Sequence, residues 1–347
     1  MKKENRKKIK KSLASAAAVL MCLALFFPIA AGDINATNKK LIPLGRTTGI
    51  KMFSGGAMVV GFASLQASGG VSPAESSGLC VGDVISAVNG QAVESNEELS
   101  YALSKLKSDS VTLTVKRKDQ SLDVTLNGLI PNEAGEGYRL GAWVRDSMAG
   151  IGTITFVDPE TGNFGALGHG ICDVDTGVLM PFDNGSIMES TVTGSVKGIS
   201  GSPGQLLGTF NLKTDNGVLF QNTGNGIFGK ITDSSVYSDF EAIETASGSE
   251  VKCGKVEIVS NIYGNTVEKY SAKITKILGD ESGSSRNFML EITDPRLIDS
   301  TGGIVQGMSG SPVIQNGKLV GAVTHVLISD PQRGYGIFIE NMLKAAG

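Results

Sequence analysis

Residues 150–157 read Gly150-Ile151-Gly152-Thr153-Ile154-Thr155-Phe156-Val157, followed by Asp158-Pro159-Glu160-Thr161-Gly162 and then Phe164-Gly165-Ala166-Leu167. The first run alternates with a period of two, breaks at a turn rich in Asp, Pro and Gly, and resumes, which predicts a β-hairpin. The pattern recurs toward the C-terminus, with strand-like runs at 217–220, 256–259, 273–278 and 288–292. Many short strands and few helical patterns predict a mainly β fold closed into barrels or a sandwich. Residues 135–347 supply enough chain for two small barrels side by side.

The chain has 347 residues, 41% apolar and 19% charged, with a formal net charge of -3. That length suggests about two domains, each able to bury a core. The near-neutral balance argues against a nucleic-acid binder, whose surface is normally basic, so no nucleic-acid partner is expected. Glycine is in excess at 46 residues, in keeping with turn-rich β-structure, and the apolar content is too high for general disorder.

Residues 2–11 contain seven Lys or Arg, and no charge occurs from Ser12 to Gly32. A basic head before an apolar stretch of this length predicts a signal peptide or membrane anchor over residues 1–32. The positive-inside rule places everything after Asp33 across the membrane. Residues 33–40 then read as an exposed linker. The cysteines fall at 22, 80, 172 and 253 and the two histidines at 169 and 325. These spacings give neither a disulfide framework nor a zinc site.

Residues 41–130 read as one module. Ala57-Met58-Val59-Val60-Gly61-Phe62 and Val84-Ile85-Ser86-Ala87-Val88 are strand-like, and Asn89-Gly90 is a tight-turn signal. Ser95 and Glu98 make a capping box before a helix whose Leu99, Ala102, Leu103 and Leu106 share a face. With Ser72-Pro73-Ala74, Gly78 to Ile85 and Val88-Asn89-Gly90, this order resembles a PDZ domain of the kind attached to exported proteases. The resemblance implies that Thr48, Gly49, Ile50 and Lys51 form the peptide-binding loop and strand, where a peptide adds as an extra strand.

Three separated residues carry the chemistry. In Gly307-Met308-Ser309-Gly310-Ser311-Pro312 a serine flanked by glycines can project from a tight turn, with the backbone N–H groups of Gly307 and Ser309 available to an oxyanion. A serine needs a base, and His169 in Gly168-His169-Gly170 offers one. Asp294, in Thr293-Asp294-Pro295, is a candidate to orient the imidazole, although Asp before Pro is also the expected cap of a helix. The chain order His, Asp, Ser matches chymotrypsin-like hydrolases. A second hexad, Gly198-Ile199-Ser200-Gly201-Ser202-Pro203, lies too soon after His169 and reads as loop, with Gly204-Gln205 not continuing as a strand. Cys172 lacks a glycine turn and is a poor nucleophile candidate. His325 is expected to line the pocket for the residue preceding the cut.

Over nearly its full length the chain resembles the stage IV sporulation protein B peptidases of endospore-forming bacteria. The basic N-terminus, the PDZ segment, Gly165 to Gly170, Ile292 to Pro295, Gly307 to Pro312 and Gly334-Tyr335-Gly336-Ile337-Phe338-Ile339-Glu340 carry the likeness. It implies a PDZ domain followed by a trypsin-like double-barrel peptidase over 135–347, with His169 as base, Asp294 as orienting acid and Ser309 as nucleophile. Asp173, Asp175 and Asp183 remain alternatives for the acid. The resemblance further implies export across the forespore membrane into the intermembrane space. It also implies cleavage of the chain's own N-terminal region and of a membrane-anchored regulator of a membrane metalloprotease, leading to sigma-K activation. No metal or organic cofactor is called for. The competing reading is a membrane-tethered PDZ scaffold on a catalytically inactive barrel.

Overall fold

The computed structural model describes residues 39–63, 70–118, 120–132, 135, 137–279 and 285–347. The export segment expected over 1–32, and most of the expected linker, lie outside these residues. Among the described residues no helix is long and apolar enough to cross a membrane.

Among the described residues the structure is built mainly from twenty strands. The first eight are β1 (Lys40–Pro43), β2 (Thr47–Phe62), β3 (Val84–Val88), β4 (Gln91–Ala92), β5 (Ser110–Arg117), β6 (Gln120–Asn127), β7 (Ile130–Pro131) and β8 (Tyr138–Arg139). Then come β9 (Ala142–Val157), β10 (Asn163–Ala166), β11 (Asn184–Val196), β12 (Gln205–Thr223), β13 (Gly226–Ile231) and β14 (Ile243–Glu244). The last six are β15 (Gly254–Ser260), β16 (Glu268–Ile277), β17 (Phe288–Ile292), β18 (Pro312–Gln315), β19 (Lys318–Leu327) and β20 (Asp330–Phe338). Among the described residues there are four α-helices: α1 (Pro73–Ser76), α2 (Asn96–Ser104), α3 (Pro295–Thr301) and α4 (Ile339–Ala346).

Two antiparallel barrels result, the architecture of trypsin-like peptidases. In the first, the ladder β9-β10-β13-β12-β11-β2 is closed by pairing of β2 with β9. The second is the closed ring β15-β16-β17-β20-β19-β18. Their cores are separate. Ile50, Ile154, Phe164, Ile187, Leu219 and Ile227 fill the first, while Tyr270, Phe288, Leu290, Val313 and Val323 are among those filling the second. Helix α4 joins them, packing Ile339 and Met342 with Phe156 and Phe228 of one barrel and Ile337 of the other.

The PDZ segment forms its own core, with Ile85, Leu99, Leu113, Val115 and Leu126 buried together. Local signals act as the sequence predicts. Asn89 and Gly90 both take positive φ (49° and 80°) in the β3–β4 turn, and Ser95 Oγ accepts from the Glu98 amide at 3.1 Å to start α2.

The domain boundaries differ from the expected 41–130 and 135–347. Both long strands, β2 and β9, run through the first barrel and the PDZ segment alike. Residues 47–53 of β2 pair with 147–153 of β9 inside the barrel, and 58–62 pair with 142–145 in the PDZ segment. The PDZ domain is therefore inserted into the first hairpin of the first barrel. The change of direction lies at Gly55-Gly56, where the register shifts between Phe53 and Met58. Gly56 has φ +149°, and a Cβ there would lie 2.4 Å from the Ile85 carbonyl oxygen.

Both the close approach and the backbone conformation exclude a side chain at this bend. Gly56→Ala is expected to cost about 1–3 kcal/mol, read as a lowered melting temperature, whereas Gly90→Ala, with open space around it, should cost less.

Candidate active site

Ser309 lies in the turn between α3 and β18, and His169 follows β10. Both line one cavity of about 380 Å³, together with Met148 to Ile151, Ile171, Cys172, Val174 and Gly307. The nucleophile candidate thus comes from the second barrel and the base candidate from the first.

Close packing of backbone on backbone brings the two turns together. A Cβ on Gly310 would meet the Thr153 carbonyl oxygen at 2.0 Å and the Leu167 nitrogen at 2.6 Å. Gly310 takes φ +96°, so only glycine allows this contact. Thr153 donates its N–H to the Ser309 carbonyl (3.0 Å) and its hydroxyl to the Gly307 carbonyl (2.7 Å). It also accepts from the Leu167 amide at 3.2 Å. Leu167 itself has φ +69°, a region costly for a side-chain-bearing residue and often met at functional sites. Sequence reading missed Thr153, whose only signal is a hydroxyl at an inward-facing strand position.

His169 is half-buried, and its Nδ1 is 2.9 Å from the carbonyl oxygen of Gly170. A carbonyl can only accept, so Nδ1 carries the proton and Nε2 presents a lone pair. Burial pushes the imidazole pKa below its ordinary value, opposed by the bond to Gly170. The Ser309 hydroxyl donates to the Thr324 carbonyl at 2.8 Å. The amides of Met308, Gly310 and Ser311 are committed to the carbonyls of Val305, Val323 and Met308. Those of Gly307 and Ser309 have no protein acceptor among the described residues.

Asp294 does not join this site. Its Oδ1 accepts from the Arg296 amide (3.0 Å) and guanidinium, and its Oδ2 accepts from the Ser271 amide (3.1 Å) and from Arg296. It is the N-cap of α3, and Arg296 holds its carboxyl below the usual range, against burial. Strand register explains the separation. Met289, Tyr335 and His325 lie side by side across β17, β20 and β19. From Met289 the strand runs roughly 10 Å further, to Ile292, before the chain reaches Asp294. The alternatives are also engaged elsewhere. Asp173 and Asp175 pair with Arg145, and Asp183 accepts from Asn184.

His325 is not among the cavity's lining residues. Its ring centroid lies 5.1 Å from that of His169, and its Nδ1 is buried without a hydrogen-bond partner among the described residues. Burial, then the neighbouring His169 and Arg286, push its pKa down to about 4. Cys172 is unsuited to attack, since burial pushes its thiol up. Ser200 is exposed and bonds the Ser329 carbonyl at 2.9 Å in a surface turn, although β12 does begin at Gln205, where no strand was expected.

Thr48, Gly49, Ile50 and Lys51 are not a peptide groove. One edge pairs with 149–152 of β9 and the other with 186–189 of β11, leaving no hydrogen-bonding edge for an added strand. A groove lies instead between α2 and residues 138–144, a cavity of about 390 Å³ lined by Leu99, Leu103, Leu140, Gly141, Trp143 and Val144. There, residues 142–147 pair only with β2 among the described strands. Gly141 before an alternating stretch with the sole tryptophan was the available signal. The described residues contain no cluster suited to hold a metal ion.

Asp294→Ala is expected to lower stability by about 1–2 kcal/mol, the usual loss of a helix cap, on thermal melting. Its effect on Ser309 reactivity should be small. Thr153→Val should cost about 1–3 kcal/mol by leaving the Gly307 carbonyl unpaired and, unlike Asp294→Ala, should also slow Ser309 labelling.

The family described as SpoIVB peptidase S55 matches residues 136–343, and a PDZ domain family matches residues 70–117. No curated protein matches the chain. Among solved structures, the inactive form of the Rv3671c protease is 14% identical, covering 57% of this chain and 82% of its own, with a TM-score of 0.32. The active form of that protease, from M. tuberculosis, is 16% identical, covering 57% and 72%, with a TM-score of 0.30. With well over half its length matched by one family, the chain belongs to the SpoIVB peptidase S55 family: it is a serine peptidase carrying a PDZ domain.

Proposed function

We propose that the chain is an exported sporulation endopeptidase in which Ser309 is the nucleophile and His169 the base. The observation that carries this is the shared cavity, walled by both residues from different barrels, with the His169 tautomer fixed by Gly170. Rotation about χ1 frees the Ser309 hydroxyl from Thr324. Its oxygen then bonds to the scissile carbonyl carbon as its proton passes to Nε2 of His169. The Gly170 carbonyl, in the position an acid would take, holds Nδ1–H and keeps the imidazole oriented. The amides of Gly307 and Ser309 stabilise the oxyanion. His169 returns its proton to the leaving amine, and water releases the acyl-enzyme.

The substrates are proteins or peptides presented in extended form. Family membership supports a membrane-anchored regulator and the chain's own N-terminal region as targets, with sigma-K activation as the outcome. The apolar head of the sequence supports action in the intermembrane space. The edge at 142–147, which pairs on its other side with β2 alone among the described strands, takes a peptide as an added strand, in place of the segment around Gly49.

Treatment of the full-length chain with a fluorophosphonate should label Ser309, with loss of labelling in Ser309→Ala and His169→Ala and retention within about tenfold in Asp294→Asn. Absence of labelling in the wild type would favour the inactive scaffold. Because burial depresses the His169 pKa, the base is protonated only at lower pH than an ordinary histidine. The midpoint of the fall in labelling rate with falling pH should therefore lie below that of an ordinary histidine, which is about 6.5. A decline centred above pH 6.5 would contradict the assigned environment.

A further inference from the structure

Strand β9 is the wall of the PDZ groove at Trp143 and Val144 and the wall of the catalytic cavity at Met148 to Ile151. Between these stretches sit Arg145 and Asp146, adjacent residues reaching to different parts of the molecule. The Asp146 carboxylate accepts from the amide of Asn96 at 2.8 Å, holding the first residue of α2, the opposite wall of the groove. Arg145 turns to the segment that follows the catalytic base. Its guanidinium is paired with the buried carboxylate of Asp173 and, at 3.1 Å, with exposed Asp175.

Asp173 organises that segment. Its Oδ1 accepts from the amides of Asp175 (3.1 Å) and Thr176 (3.0 Å) and from the Thr176 hydroxyl (3.0 Å). Its backbone N–H donates to Val178 at 2.8 Å, and its carbonyl accepts from Gly177 at 2.8 Å. The turn so formed carries Val174 into the cavity wall alongside His169, Ile171 and Cys172. A carboxylate this buried needs a charged partner, and Arg145 provides it from the strand that lines the groove.

We infer that Arg145 is a positioning residue: it ties the 170–178 turn beside His169 to the PDZ groove strand, so that a change at the groove is delivered to the catalytic base. The inference rests on the assignment of Ser309 and His169 above for its consequence, but the mechanical link stands on its own contacts. Coupling of this kind is reciprocal, and a demonstrated interaction between the two ends is the evidence it requires.

The test uses the full-length chain and two independent readouts. Hydrogen–deuterium exchange of the 170–178 amides should rise in Arg145→Ala and return near the wild-type rate in Arg145→Lys. Fluorophosphonate labelling of Ser309 should slow about tenfold in Arg145→Ala, an effect within the usual range for coupled sites, and recover substantially in Arg145→Lys. Asp146→Ala, which releases the Asn96 amide of α2 and the neighbouring Ser147 hydroxyl but leaves the Arg145–Asp173 pair in place, should slow labelling in the wild-type background and have no added effect in Asp173→Asn. Additive effects in that cycle, or exchange at 170–178 unchanged by Arg145→Ala, would overturn the inference. Should Ser309 fail to label even in the wild type, the assignment of Ser309 and His169 falls, and exchange alone decides the link. Asp175→Ala, which leaves the buried pair intact, controls for mere loss of surface charge.

Discussion

Thr153 is fully buried, and three of its backbone and side-chain groups are spent on the turns that carry Ser309 and lead to His169: Ser309 and Gly307 accept from it, and Leu167 donates to it. None of these bonds is exceptional alone, each worth about 0.5–1.5 kcal/mol net. Together they hold the turn of Ser309 from one barrel against the turn that leads to His169 from the other, so that both residues line one cavity. Gly310 makes the arrangement possible, because any larger residue would strike the Thr153 carbonyl. The meeting of the two turns in one cavity depends on this backbone junction.

The same strand explains the position of the PDZ domain. Strands β2 and β9 are each sixteen residues long, and each spans barrel and PDZ domain without a linker. A linker would let the domains move independently. A continuous hydrogen-bonded pair cannot, because bending it breaks ladder bonds except where Gly55 and Gly56 already turn the strand. The groove and the cleft are therefore built on one element.

Much of this was legible from residues alone. The hairpin at 150–167, the Asn89-Gly90 turn and the Ser95 cap are local, set by φ preferences and by side chains that bond their own backbone. The pairing of His169 with Ser309 in one cavity followed from chain order and glycine-rich turns. The aspartate did not follow. Asp294 satisfies two descriptions, acid of a triad and cap of a helix starting at Pro295, and the cap is the one its oxygens serve. Local geometry prevailed because the cap needs only adjacent amides, whereas the triad needs register across three strands.

By itself the sequence determined the β-rich fold, the two candidate reacting side chains and the presence of a PDZ segment, because periodicity, turn chemistry and glycine spacing are written along the chain. Only the tertiary structure decided that Gly49 and Ile50 are barrel residues and that His169 Nδ1 bonds the Gly170 carbonyl while Asp294 bonds Arg296 and Ser271. It also decided that Arg145 reaches Asp173. These depend on which strand edges remain unpaired and on which residues register brings side by side, and strand pairing is a long-range choice that a one-dimensional pattern does not encode.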